Sequence, residues 1–298
     1  MYLDQLDYYS SHGFFSDLVN YADIFNQFSS KVSEICDMTF NIMINDFLVN
    51  MKIYSLPEES KNDVNLRDVG NILDVIVKRN QEAKDDISLF ENKLLGNCRD
   101  LSLLICAILR HKKIPSRIRS GFATYFSPKK KYDHWLCEYW NADEKRWRLI
   151  DPWMYQINKE IGNLPKRFST GMKKLNLNAL DVEPHFFISG ADAWLRCYNK
   201  KENPQDYGTN EKKLKGDWFI RDNMIRDLFC LNKLEPLPWD CWGIMGTRNK
   251  RIDEIESEIL VKTANIIVSC NSKTENYLNE VNNYHEEVFL EDFTYKRI

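Results

Sequence analysis

Cys98, His134 and Asp151 are the side chains of this 298-residue chain whose types and spacing suit nucleophilic acyl chemistry. A thiol attacks as its thiolate, and a helix N-terminus favours that form through its oriented amides and macrodipole. Gly96 and Asn97 are turn formers that deliver the chain to a helix start at Cys98, and Asp100 in the first turn suits the dipole. The pattern predicts an exposed sulfur at the head of a buried helix. Downstream, a four-residue loop at 141–144 would pair Trp140 with Lys145, Glu138 with Trp147, Leu136 with Leu149 and His134 with Asp151. Facing Cβ atoms lie about 4.5–5.5 Å apart, so the carboxylate could accept from the imidazole and fix its tautomer. His134 would then act as base toward Cys98. Taken singly, the three read as a buried structural thiol, a satisfied strand histidine and a turn residue capping a strand end. Their predicted juxtaposition makes those separate accounts less economical.

The elements that must position these groups are a helix and the strands after it. Residues 98–111 are apolar nearly all round, which predicts a central buried helix ended by Pro115. Residues 114–126 read as a strand, Lys129 to Lys131 as a solvated turn, and 133–140 with 146–151 as a hairpin. Upstream, residues 15–51 have helical spacing closed by Pro57, residues 65–81 repeat it, and a charge cluster at 82–88 bounds the segment. Residues 153–215, rich in Asn, Lys and Gly, read as largely irregular, while 218–232 and 253–279 read as helices before a charged, aromatic tail. The fold class expected is α+β, a buried helix on an antiparallel sheet with extra helices at both ends. It is read as one domain over 1–298: a helical part at 1–90, a catalytic core at 91–155, an irregular extension at 156–245, and a helix and tail at 246–298.

The strings Gly96-Asn97-Cys98-Arg99-Asp100, Ile114-Pro115-Ser116-Arg117, Gly121-Phe122, Asp133-His134-Trp135 and Leu149-Ile150-Asp151-Pro152 resemble the transglutaminase-like superfamily. Its members carry a helix-heading Cys, a strand His and a next-strand Asp in this order, on a papain-like core. Trp218-Phe219-Ile220-Arg221 and Leu237-Pro238-Trp239-Asp240 look like segments of uncharacterised bacterial members. The resemblance implies a cysteine hydrolase or acyltransferase acting on a peptide, isopeptide or small amide through a thioester, with Cys98, His134 and Asp151 catalytic. It leaves two alternatives: an amide-forming acyltransferase with an amine acceptor, and a non-catalytic peptide-binding module of the same fold. Arg99 stands where animal transglutaminases have Trp, as in peptidase-like bacterial relatives. The first Trp is Trp135, so no upstream Trp can serve an oxyanion hole. The Cys98 amide can be one donor and Asn92 is a candidate for the second. Without an Asp-rich loop, calcium activation is not implied.

The remaining residues exclude other classes. Lys and Arg total 41 against 44 Asp and Glu, a balance that offers no nucleic-acid footprint. A content of 43% hydrophobic residues supports a core and excludes disorder. No membrane span or export signal is legible, so a cytoplasmic protein with reduced thiols is expected. Eight scattered cysteines and five histidines lack metal-ligand spacing, and the glycine-rich phosphate cradles are missing, so no metal or cofactor is expected. Cys106 and Cys137 read as core. Arg117 and Arg119 share a strand face, solvent-exposed or aimed at a substrate carboxylate. Asp222 and Arg226 read as a helix-surface pair, Trp239 and Trp242 as core, and His111 as a helix-dipole partner.

Overall fold

Helices and strands along the chain give an α+β fold. The computed structural model describes residues 2–81, 91–246, 252–269 and 278–281. The charge cluster at 82–88, Cys270 and most of the C-terminal tail lie outside the described residues. In chain order the elements are α1 (Tyr2–Tyr9), α2 (Ala22–Asn26), α3 (Val32–Ile42), β1 (Met43–Asn45), α4 (Asp46–Asn50), α5 (Val69–Arg79), β2 (Leu94–Gly96) and α6 (Cys98–His111). Then come β3 (Ser116–Ala123), β4 (Lys131–Asn141), β5 (Arg146–Ile150), α7 (Pro152–Lys159), α8 (Lys166–Leu175), β6 (Phe187–Ser189), α9 (Gly190–Tyr198), β7 (Tyr207–Gly208), α10 (Asp217–Leu231) and α11 (Glu254–Val268). The larger sheet has the order β5-β4-β3-β6, with β7 on β4, and β1 and β2 form a separate pair.

The chain divides into two compact units. One, here the cysteine unit, comprises Leu6–Ile118 and Leu136–Glu183; the other, the histidine unit, comprises Met1–Gln5, Arg119–Trp135 and Pro184–Ile298.

At the centre of the cysteine unit, α6 is buried from Arg99 to Arg110. It packs against α3, α5 and α7 and the β1–β2 pair. Each of its leucines contributes about 1.5–3 kcal/mol by burial. β1 and β2 run parallel with Asn45 opposite Gly96, which delivers the chain to the start of α6. The helical run expected over 15–51 is instead broken into 3-10 turns, α2, α3, β1 and α4. Pairing with β2 draws Met43–Asn45 into extended backbone, and the Asn45 side chain accepts the Leu48 N–H at 2.9 Å to restart a helix. α5 likewise starts at Val69, later than spacing predicts, because Asp68 caps it by accepting from the Asn71 N–H at 2.9 Å.

In the histidine unit, β3 pairs antiparallel with β6 (Gly121 opposite Ser189) and β4 pairs parallel with β7 (Lys131 opposite Tyr207). Helices α9, α10 and α11 share an apolar cluster with Phe122, Tyr207, Met224, Phe229, Leu260 and Ile267. Gly190 permits the close approach of α9 to α10, since a Cβ there would lie 2.5 Å from the Met224 nitrogen.

Residues 153–215 are not irregular: they hold α7, α8, β6, α9 and β7. Their starts depend on local caps, such as Ser189 accepting from the Asp192 N–H at 3.0 Å. The apolar stripe of α8 is only Phe168, Met172 and Leu175 among charged neighbours, too sparse to stand out from composition.

Candidate active site

Asn97 is the N-cap of α6, its Oδ1 accepting from the Arg99 N–H at 2.9 Å and the Asp100 N–H at 3.2 Å. Asp100 completes the box by accepting from the Asn97 N–H at 3.0 Å. Cys98 is therefore the first residue of a capped, buried helix, and its thiol is partly exposed. Arg99, fully buried, donates to Asp100 at 3.1 Å and to the Leu66 and Arg67 carbonyls at 3.4 and 2.5 Å. It ties the head of the helix to the segment before α5. Burial pushes the Asp100 carboxyl up to about 6 against the opposing pull of Arg99.

Asp151 is fully buried at the end of β5 and caps α7, with Oδ1 accepting from the Met154 N–H at 2.9 Å. Its own N–H donates to the Ala179 carbonyl at 2.8 Å. His134, on β4, is buried beneath the edges of Tyr125 and Phe126, with centroids at 6.1 and 5.3 Å.

The hairpin register differs from expectation. Trp140 faces Trp147, Glu138 faces Leu149 and Cys137 faces Ile150. The turn is 142–145, one residue later than predicted, because Asn141 stays in the strand while its Oδ1 accepts from the Glu144 N–H at 2.9 Å. Lys145 takes the left-handed conformation, φ 52°, that lets the chain re-enter β5. Each β4 residue thus meets a partner two positions further along β5 than predicted. Extending the ladder one step puts Leu136, not His134, opposite Asp151. A two-residue displacement preserves faces, so Leu136, Glu138, Trp147 and Leu149 share one as expected.

Residues 72–152 match the model of the transglutaminase-like superfamily. This segment is similar to a transglutaminase-like core. It contains Cys98, His134 and Asp151 and ends within the first residue of α7. No curated protein and no solved structure matches the chain.

Around the transglutaminase-like core, several expectations give way. Arg117 and Arg119 are buried, neither solvated nor open to a substrate. Arg117 pairs with Glu138 at 2.7 Å and lies over the Trp147 ring at 4.1 Å; Arg119 forks onto Asp227 at 3.0 and 2.8 Å. Asp222 and Arg226 are buried rather than a surface pair: Asp222 binds Arg221 at 2.7 Å, and Arg226 donates to the Asp240 carbonyl at 2.9 Å. Asn92 closes the end of α5, its Nδ2 donating to the Arg79 carbonyl at 3.1 Å. Trp242 packs on Phe229, but Trp239 is 45% exposed. His111 meets Asn26 Oδ1 at 2.8 Å, and burial with Lys112 and Lys113 lowers its pKa, which weakens the reading as a dipole-bound cation.

Cys106 and Cys137 are core, as read. Burial pushes the thiols of Cys36 and Cys137 up, and that of Cys197 up to about 12. Among the described residues no group of His, Cys, Asp or Glu could hold a metal ion, and no helix is long and apolar enough to cross a membrane. Sequence reasoning missed Asn223, whose Nδ2 donates to Asp133 Oδ1 at 2.6 Å beside His134. The available signal was an Asn amid Arg and Asp residues inside an otherwise apolar helix.

Proposed function

We propose that the protein is a cysteine-dependent acyl-transfer enzyme that cleaves an amide, in a peptide, isopeptide or small molecule, through a thioester. The observation that carries this reading is the place of Cys98: a partly exposed thiol at the first position of a capped, buried helix within the transglutaminase-like core. Of the described cysteines, Cys98 alone heads a helix.

In the reaction, His134 takes the thiol proton and the Cys98 thiolate adds to the amide carbonyl carbon. The Cys98 backbone N–H faces the charge that develops on the carbonyl oxygen. His134 returns the proton to the nitrogen as the C–N bond breaks, leaving the thioester and a free amine. Water, losing a proton to His134, then adds to the thioester; collapse releases the acid and the thiol. Asp151 holds the imidazole tautomer. The site uses neither metal nor organic cofactor and operates in the cytoplasm on a peptide or small amide.

Intact mass after incubation with peptide aldehydes and acyl chloromethylketones tests the reading. Adducts that form on the native chain and vanish in Cys98→Ala support it. Equal labelling of the variant, or none of either, overturns it and favours the binding module. Product analysis with added amines separates hydrolysis from amide formation.

A further inference from the structure

The middle of α10 carries buried polar groups among apolar ones. Asn223 and Asp227, one turn apart, are 1% and 0% exposed. Asn223 Nδ2 donates to Asp133 Oδ1 at 2.6 Å while its Oδ1 accepts from Ser120 Oγ at 3.1 Å. Asp227 accepts from the Ser120 N–H at 2.9 Å and from Arg119 Nε at 3.0 Å. One helix face therefore grips both β3, at Arg119 and Ser120, and β4, at Asp133. The backbone of α10 at Asn223 and Met224 also lies close against Gly190 of α9.

An asparagine suits the bridge because its amide donates and accepts at once, satisfying a carboxylate and a hydroxyl together. Leucine of similar size would leave both unpartnered in a desolvated site. A fully connected buried network selects one arrangement of its members, which apolar packing does not do as strictly. What this network fixes is the residue before His134.

We propose that Asn223 is a positioning residue for His134, acting through Asp133, the preceding residue of β4, whose carboxylate it holds in place. This rests on the reading of His134 as the base for Cys98. The neighbourhood is electrostatically live. Desolvation pushes the Asp133 carboxyl up to about 6, opposed by Arg226, His134 and the Asn223 hydrogen bond. Arg226 in turn feels Asp222, Asp133, Asp240 and Cys241. Removing the Asn223 bond favours protonated Asp133, and either loss of charge removes the electrostatic attraction that Asp133 exerts toward His134. A thiolate paired with the His134 imidazolium then forms at higher pH.

The test is the rate of iodoacetamide alkylation at Cys98 from pH 5 to 9 on the full chain, mapped by mass, with thermal unfolding alongside. In the native protein Cys98 should outpace the exposed Cys241 and titrate below the roughly 8.5 of a free thiol. Asn223→Ala and Asp133→Asn should each move that midpoint up by about half a pH unit or more. Leu260→Ala, which opens the same apolar cluster, should lower the melting temperature and leave the midpoint in place. If Cys98 reacts no faster than Cys241 at any pH, the nucleophile reading fails and this inference with it. If Cys98 titrates low but both variants keep the native midpoint, the nucleophile stands and the positioning role is overturned. Should Asn223→Ala not fold, the near-isosteric Asp133→Asn decides alone.

Discussion

Helices α6 and α10 are each buried over nearly their whole length, yet they place their polar residues differently. In α6 the buried charges stand at the ends: Arg99 and Asp100 in the first turn, Arg110 in the last. There they serve needs every helix has, because terminal N–H and C=O groups lack intrahelical partners and neighbouring segments must be anchored. In α10 the run from Arg221 to Asp227 occupies the middle turns, where the helix backbone is already satisfied. Its polar side chains answer instead to distant partners: Arg119, Ser120, Asp133 and the Asp240 carbonyl. Polar groups at a helix end close that helix, whereas polar groups in its middle specify what it packs against.

The sharpest way to break this contrast is at the Arg119–Asp227 fork. Asp227→Ala leaves a buried guanidinium without its carboxylate and should cost about 3–5 kcal/mol in urea unfolding. A loss under about 1 kcal/mol would mean that mid-helix polar groups in α10 are tolerated rather than required.

A pH series comes next. The Asp100 carboxyl, ordinarily near 3.8, is pushed up to about 6 in the folded chain, so the folded state holds that proton more tightly than the unfolded one. The associated stabilisation is fully present below the unfolded value and is lost as pH rises through the folded one. Stability from this group should fall between pH 4 and 6 with a slope of up to about 1.4 kcal/mol per pH unit. Asp100→Asn should remove that component of the slope in denaturation curves across the window; an unchanged slope would show that Asp100 titrates normally.

At the helix end, Asn97→Ala removes two cap bonds and should cost about 1 kcal/mol by the same assay. A penalty as large as that at Asp227 would erase the distinction between ends and middle. The smallest effect belongs to exposed ion pairs. Arg146→Ala, at a partly solvated cluster with Glu144 and Asp181, should change stability by less than about 1 kcal/mol and less still in salt.

The same contrast explains which parts of the fold were legible. The bounds of α6 follow from turn formers, an apolar run and Pro115, all within one stretch of chain, and they coincide with the structure. The hairpin was legible as a hairpin but not in register. Whether Asn141 ends the strand or stays in it depends on one side-chain bond to Glu144, which composition does not reveal. Arg117 and Arg119 looked surface-bound because alternation tells which residues share a face but not what covers it. The break at Met43–Asn45 was illegible for a similar reason: helical spacing continues through it, and only a partner strand favours the extended form.

By itself the sequence determined the local devices: the cap that places Cys98 at the head of α6, the strands that carry His134 and lead to Asp151, the α+β class and the similarity of residues 72–152 to transglutaminase-like cores. These rest on interactions among residues close in the chain, whose geometry follows from side-chain type and spacing. Tertiary structure alone decided the partner of each buried charge and the residue that steadies Asp133. Asn223 and Asp133 stand 90 positions apart. Nothing in the spacing of either marks the other, since desolvation selects a partner only once the chain has closed around them both.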